Sequence, residues 1–554
     1  MDLKKEVSIF FKGDIDDSAD TLKKYSHDAS IFEVKPAIVL FPKDTKDIQA
    51  LVKWVAENKE KNPELSITCR CAGTDMSGGS INESIILDFT RYMNTTIAFP
   101  DTEMSITVQP GMFYRDFEKI TLAKDLILPC YTASKNINAV GGMFGNNSAG
   151  ERTLKYGKTE DYILETKMVF ADGREYTVKA LNKKELYAKI AQGDFEGEIY
   201  KNIFQLINNN KEDIKKAKPD VTKNSSGYYL WNVWNEEKEI FDLNKVLVGS
   251  QGTLGIATEI TFRLVKPKEH TNLVVVFLRD IEILPGLVNT ILKYKPQTLE
   301  SYDDKTFLLV LKYIVSFAKL LGFKNLLKLV FGFGPETMMT LRHGFPRLIL
   351  LIEFTGDTKE EADKATSDAL VELRRVKKIG IHLTKSTFEA EKFWTIRHEA
   401  FNLIRYHLKK MKSEAFIDDV IVRPEMLPQF FPALYAILGE YKDHMTFAVG
   451  GHAGDGNMHI YTLLNPNDPA LTEIVMKVSQ RVYDLVISLG GSITAEHNDG
   501  IIRSPFLPQM FGDKIYGLFK NTKEIFDVHT LFNPGKKIGG SKQYIQDHIT
   551  KPVQ

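Results

Sequence analysis

The sequence predicts an α+β protein built in two parts. Short apolar strand-like runs alternate with helical runs as far as about Leu264. Three glycine-rich turns sit among them. From His270 a second unit begins, in which strong strand candidates are separated by long helices. At 554 residues the chain exceeds what one hydrophobic core normally supports. The expected division is a helical lead-in at 1–30, a first domain at 31–267, a second at 268–511, and a helical segment at 512–554 that returns to the first.

The elements follow in order. Residues 36–42 read as a short buried strand and 46–60 as a helix, with Ile48, Leu51, Val52 and Val55 at helical spacing. Asp44, three residues before Asp47, predicts a capping box at its start. Residues 67–71, 85–88, 104–108 and 246–248 read as further strands. The polar, helical stretch 181–238 reads as a surface insertion. Residues 273–278 and 348–354 are strands, with helices near 281–294 and 358–377, as in an antiparallel sheet covered by helices on one face. Phe532-Asn-Pro-Gly535 is a turn.

Composition excludes several classes. Lys plus Arg is 72 and Asp plus Glu is 72, so the chain lacks the basic excess of a dedicated nucleic-acid binder. Cys69, Cys71 and Cys130 are too few for a disulfide scaffold or an all-cysteine iron–sulfur cluster. The N-terminal sequence does not read as a signal peptide, and no apolar run is long enough to span a bilayer. A cytoplasmic protein is expected. Residues 312–330 carry four lysines and no acid. They read either as an amphipathic helix on the inner, anionic membrane surface or as a core helix pair broken at Gly322.

Five constellations carry chemistry. Ala72-Gly-Thr-Asp-Met-Ser-Gly-Gly-Ser80 follows a strand, and its backbone amides can converge on an anion. It lacks the P-loop lysine and the Rossmann glycine spacing, and the bland alternative is a surface hairpin. Asn138 to Gly150 and Gly249 to Gly255 add two more glycine-rich runs. Together the three suit a long, flat, diphosphate-bearing cofactor. His452 and His459 flank a glycine-rich bend, and Glu496-His497 follows a second glycine pair. Two imidazoles and a carboxylate are a divalent-metal set that leaves room for substrate, although histidines also cap loops. His497 would then be free to act as a base near neutral pH. Arg397, with Arg405 and Lys412 nearby, either offers a planar fork to a carboxylate or sits on a solvated helix face.

These motifs, with Tyr25-Ser-His-Asp28, the run 138–157 and Asn533-Pro-Gly535, resemble the FAD-linked oxidases of the vanillyl-alcohol oxidase and p-cresol methylhydroxylase superfamily. The resemblance spans about 25–540 and falls in the glycolate oxidase and D-lactate dehydrogenase branch, which includes D-2-hydroxyglutarate dehydrogenase. It implies a two-subdomain FAD-binding domain and a cap domain with an antiparallel sheet. It implies FAD held noncovalently: Gly73, Thr74, Asp75, Met76, Ser77, Gly78 and Gly79 as diphosphate cradle, Gly142, Asn146, Ser148 and Gly150 as inner contact, and Gly252, Ile256 and Asn533 as further contacts. It implies one divalent ion, Zn first and Fe or Mn next, on His452, His459 and Glu496. His497 becomes the base, Arg397 the carboxylate clamp and Lys412 a second basic contact.

The activity so implied is oxidation of a small D-2-hydroxy acid to the 2-oxo acid, with hydride passing to flavin N5. Electrons then go to a quinone, a cytochrome, an electron-transfer flavoprotein or oxygen. The hydroxyglutarate enzyme carries a small hydroxyl residue where Phe401 stands, which ranks D-lactate first and glycolate second. A homodimer is compatible with this scheme. Two alternatives stand beside it. One is an ether-lipid enzyme like alkyl-dihydroxyacetone-phosphate synthase, whose family lacks the His/His/Glu set. The other is a non-catalytic electron-transfer subunit, against which His497 speaks.

Overall fold

Strands β1 (Asp14–Asp16), β2 (Ile38–Phe41), β3 (Ile67–Arg70) and β4 (Ile85–Asp88) form one sheet in the order β1-β2-β4-β3. β2, β4 and β3 pair in parallel, and their unbroken aliphatic runs suit a sheet covered on both faces. The helix Thr45–Asn58 buries Ile48, Leu51, Val52 and Val55. The Asp44 carboxylate caps it by accepting from the Lys46 and Asp47 backbone N–H groups. The expected reciprocal half of the box is replaced by another contact. Asp47 accepts from the backbone N–H groups of Lys12 and Lys43, tying the lead-in to the sheet. The structure is a computed structural model that describes residues 2–306, 308, 345–407, 412–413 and 415–550. The stretch 312–330 lies outside the described residues.

β5 (Thr96–Ala98), β6 (Ser105–Val108), β7 (Ile163–Val169) and β8 (Glu175–Lys179) lead to a small sheet of β9 (Leu181–Asn182), β10 (Trp234–Asn235) and β11 (Ile240–Phe241). β12 (Ile256–Arg263) then closes a five-stranded antiparallel sheet in the order β5-β6-β12-β7-β8. Residues 246–248, expected as a strand, fall in and just after a short helix, Asn244–Leu247. Periodicity cannot separate the two over so short an apolar run. Here the Asn244 side chain decides, bonding Thr166 Oγ1 and the Val178 carbonyl. The insertion is only partly a surface feature. Lys223, Asn224, Ser225, Ser226, Tyr228, Tyr229 and Leu230 are buried.

The second unit is one eight-stranded sheet. Its strands are β13 (His270–Leu278), β14 (Thr298–Asp303), β15 (Leu348–Gly356), β16 (Ile379–Leu383), β17 (Lys412–Ser413), β18 (Val420–Ile421), β19 (Met445–His452) and β20 (Asn457–Leu464). They run β16-β13-β15-β14-β19-β20-β17, with β18 also on β20, and every pairing is antiparallel. The helix Lys359–Leu373 packs on β13 and β15 and beside Leu284–Leu292. The last long helix, Leu507–Phe526, breaks at Gly512, whose φ is 75°. The chain then rejoins the first sheet, where Ile67 N–H donates to the Leu531 carbonyl at 2.8 Å. No helix among the described residues is long and apolar enough to cross a membrane.

Candidate functional site

A single cleft runs from the loop after β3, past the helix Val140–Asn146, to the hairpin of β19 and β20. Gly73, Thr74, Asp75, Met76, Gly79, Gly142, Asn146, Ser148, Gly150 and Gly252 line it. Ser77, Gly78, Ile256 and Asn533 do not. Gly255 and Ala257 face the cleft, so strand alternation turns Ile256 into the core. Asn533 works behind the loop: it accepts from Thr68 Oγ1 at 2.9 Å and donates to the carbonyls of Gly79 and Gln251. The Asp75 carboxylate accepts from the N–H groups of Ser77 and Gly79 and from Asn146 Nδ2, so it shapes the loop from within.

The glycines differ in what they permit. A Cβ on Gly150 would stand 2.2 Å from the Tyr131 carbonyl oxygen, and one on Gly79 would stand 2.3 Å from Gln251 Nε2. Both glycines let protein meet protein. A Cβ on Gly142 would meet nothing within 4 Å and would stand in the cleft. On the same wall Asn138 Oδ1 is a buried acceptor with no partner. An open glycine face and an unsatisfied acceptor fit a flat heterocycle with a polar edge.

At the other end, the β19–β20 register sets His459 opposite Gly450 and His452 opposite Asn457. The two Nε2 atoms face each other at 3.3 Å. Glu496 Oε1 lies 3.3 Å from His452 Nε2, and Oε2 lies 3.9 Å from His459 Nε2. Each imidazole is held from behind: His452 Nδ1 lies 2.5 Å from Glu300 Oε1, and His459 Nδ1 lies 3.1 Å from Asp418 Oδ1. These partners orient both Nε2 lone pairs inward, as outer carboxylates do at metal sites. A 3.3 Å edge also matches a tetrahedron with bonds of ~2.0–2.1 Å. The donor set fits a divalent ion.

Arg397 lies on the helix Thr387–His407, and its side chain is buried, which settles its place in the pocket. Its fork is already engaged. One terminal nitrogen lies 3.2 Å from Glu300 Oε2 and the other donates to Tyr461 Oη at 3.3 Å, while Nε has no partner. Lys412 begins β17. The side chains of Phe401, Arg405 and Lys412 lie outside what the structure describes.

His497 stacks on His459 with ring centroids 5.2 Å apart. Its Nδ1 is 3.3 Å from Asp418 Oδ2, outside hydrogen-bond alignment. Burial pulls its pKa down, but Asp419 and Asp418 outweigh this and lift it to about 9. Asp419 also organises the loop, accepting from the backbone N–H groups of Ala495, Glu496 and His497. Glu496 is held far below the usual carboxylate range. Burial opposes that shift, and Lys223 and His452 overcome it. Glu300, Asp418, Asp419, Tyr461 and Lys223 are the site residues that sequence reasoning missed. Lys223 and Glu300 stand alone in their segments, Asp418 and Asp419 are a bare adjacent pair, and Tyr461 follows His459 by two on β20, a spacing that ordinary strand alternation also gives.

Residues 36–179 match the FAD binding domain, and residues 267–537 match the FAD linked oxidases C-terminal domain. The chain belongs to the FAD-linked oxidase family, with an FAD-binding domain of the p-cresol methylhydroxylase type. It is 26% identical over 534 residues to D-2-hydroxyglutarate dehydrogenase of Pseudomonas putida, covering 95% of this chain and 50% of that protein. It thus spans about half the length of that relative. It is 25% identical to the glycolate oxidase subunit GlcD of Bacillus subtilis, covering 97% and 96%. It is 24% identical to D-lactate dehydrogenase of Anaerostipes hadrus, covering 92% of each. Among solved structures, 4-ethylphenol oxidase from Gulosibacter chungangensis superposes with a TM-score of 0.67 at 13% identity, covering 97% of each chain. An alkyldihydroxyacetonephosphate synthase does so at 0.64 and 15%, covering 96% and 84%. These two likenesses concern the fold alone.

Proposed function

We propose that this protein oxidises a small D-2-hydroxy acid to the 2-oxo acid, with D-lactate first and glycolate second. The observation that carries the reading is the pair of inward-facing imidazole Nε2 atoms beside Glu496, at the far end of the cleft from the glycine loop. FAD supplies the acceptor for the hydride, and a divalent ion on His452, His459 and Glu496 supplies positive charge for the hydroxyl oxygen.

The residues of the chain do the rest. Glu300 and Asp418 hold the imidazoles in register. Arg397 Nε, buried and without a partner, is the donor left for the substrate carboxylate, and the rest of its fork is anchored on Glu300 and Tyr461. Lys412 gives a second basic contact in this scheme. His497 takes the hydroxyl proton. Its neighbouring carboxylates raise its basicity, and positive charge at the adjacent site acts in the opposite sense, toward the neutral imidazole a base needs. The electrons pass on to a quinone, a cytochrome, an electron-transfer flavoprotein or oxygen.

The test is anaerobic titration of the yellow holoprotein with D-lactate, glycolate and D-2-hydroxyglutarate in parallel, read as flavin bleaching. D-Lactate is expected to bleach fastest. No bleaching by any 2-hydroxy acid refutes the reading, and preference for the dicarboxylate refutes the ranking drawn from Phe401. A synthase of the ether-lipid type would need no His/His/Glu site, so that cluster favours the oxidation.

A further inference from the structure

Lys223 belongs to the polar stretch that the sequence marks as an insertion, yet its side chain is 0% exposed. Its Nζ donates to Glu496 Oε1 at 2.6 Å and lies 3.3 Å from Asp455 Oδ2. The segment around it is stitched to the Glu496 loop. Ser225 N–H donates to the Thr494 carbonyl at 3.0 Å, and Ser225 Oγ to the Ala495 carbonyl at 2.8 Å. The ammonium is therefore delivered by the first unit onto one oxygen of a carboxylate in the second.

We propose that Lys223 is a positioning residue that restricts Glu496 to one-oxygen coordination of the divalent ion, so that a place stays open beside His452 and His459 for the substrate oxygen. The inference rests on the metal reading above. A carboxylate bound through both oxygens takes two coordination places. With two imidazoles it would fill a four-coordinate ion, whereas catalytic sites keep three protein ligands and an open position. Lys223 engages Oε1, which also lies 3.3 Å from His452 Nε2, and leaves Oε2, 3.9 Å from His459 Nε2, as the oxygen offered to the ion. A buried ammonium is costly, and here two carboxylates compensate it. A second consequence has the opposite sign from ordinary scaffolding. The ammonium repels a divalent cation, so its removal should make the site hold metal longer, not lose it.

The experiment uses zinc-loaded holoprotein as wild type, Lys223→Met, Lys223→Gln and Lys223→Arg. Zinc-edge X-ray absorption reads the number of light ligands, and transfer to a chelator reads the release rate. FAD content and melting temperature report folding, and Lys223→Gln carries the test if Lys223→Met fails to take up FAD. Both neutral variants are expected to gain one oxygen ligand and release zinc about tenfold more slowly, within the range that outer-shell partners exert. Lys223→Arg is expected to keep the wild-type shell. An unchanged shell in the neutral variants, or faster release, overturns the role of Lys223 while leaving the metal reading intact. Wild type that takes up no zinc, iron or manganese overturns both.

Discussion

Gly142 separates cofactor binding from folding, because the cleft alone would notice a side chain there. A Cβ at this position meets no protein atom within 4 Å. The residue sits in the helix Val140–Asn146 and is not among the glycines with positive φ, so alanine is accommodated without strain. Replacing a helical glycine by alanine is worth ~0.5–1 kcal/mol, so the apoprotein of Gly142→Ala should melt no lower than wild type. If the flavin lies against that face, the same methyl overpacks the contact, at a cost of ~1–3 kcal/mol. That corresponds to about 5- to 150-fold weaker FAD binding. Gly142→Leu should abolish it. The assay is titration of apoprotein with FAD, followed by flavin fluorescence, beside a melting curve. Gly111→Ala is the contrast: its Cβ would lie 2.1 Å from the Phe89 carbonyl oxygen, so folding and binding should fail together. Full FAD content in Gly142→Leu would refute the placement of the flavin. Gly79 is a poorer probe, since a side chain there strikes Gln251 and Asp75 whether or not cofactor is bound.

Asp418→Asn removes the charge behind both His459 and His497, and should weaken metal binding by ~10–100-fold with FAD content unchanged; metal affinity equal to wild type in a folded variant would contradict the orienting role. Arg397→Ala should mainly raise KM for the hydroxy acid, whereas His497→Ala should slow flavin reduction by ~10²–10⁴-fold with metal retained. Stopped-flow flavin reduction checks both, and metal loss from His497→Ala would make that residue a ligand. Burial pushes the thiols of Cys69 and Cys130 up to about 12. Thiolate is scarce below that pH, so both should resist alkylation at pH 8 until the protein is unfolded, as mass spectrometry of the labelled chain would show.

Local order was legible in the sequence because it repeats or clusters along the chain. Ile48, Leu51, Val52 and Val55 mark their helix by spacing, and the aliphatic runs of β2 and β4 mark buried strands. His452 and His459 flank a glycine bend, and the hairpin of β19 and β20 turns that spacing into facing imidazoles. Other features needed the tertiary structure. Nothing in sequence separates Gly142, which faces open space, from Gly150, which faces a carbonyl. The residues around Arg397 favoured a solvated helix face, and only packing brought Glu300 and Tyr461 to its fork. Lys223 and Glu496 are 273 residues apart, and Glu300 and His452 are 152 apart. Such pairs leave no periodic trace, because each partner satisfies local geometry equally well without the other. The pairing of β14 with β19 inside one sheet brings Glu300 to His452, and the packing of the 223–226 segment on the 494–496 loop brings Lys223 to Glu496; polar groups buried at such junctions must find one another or remain unpaired.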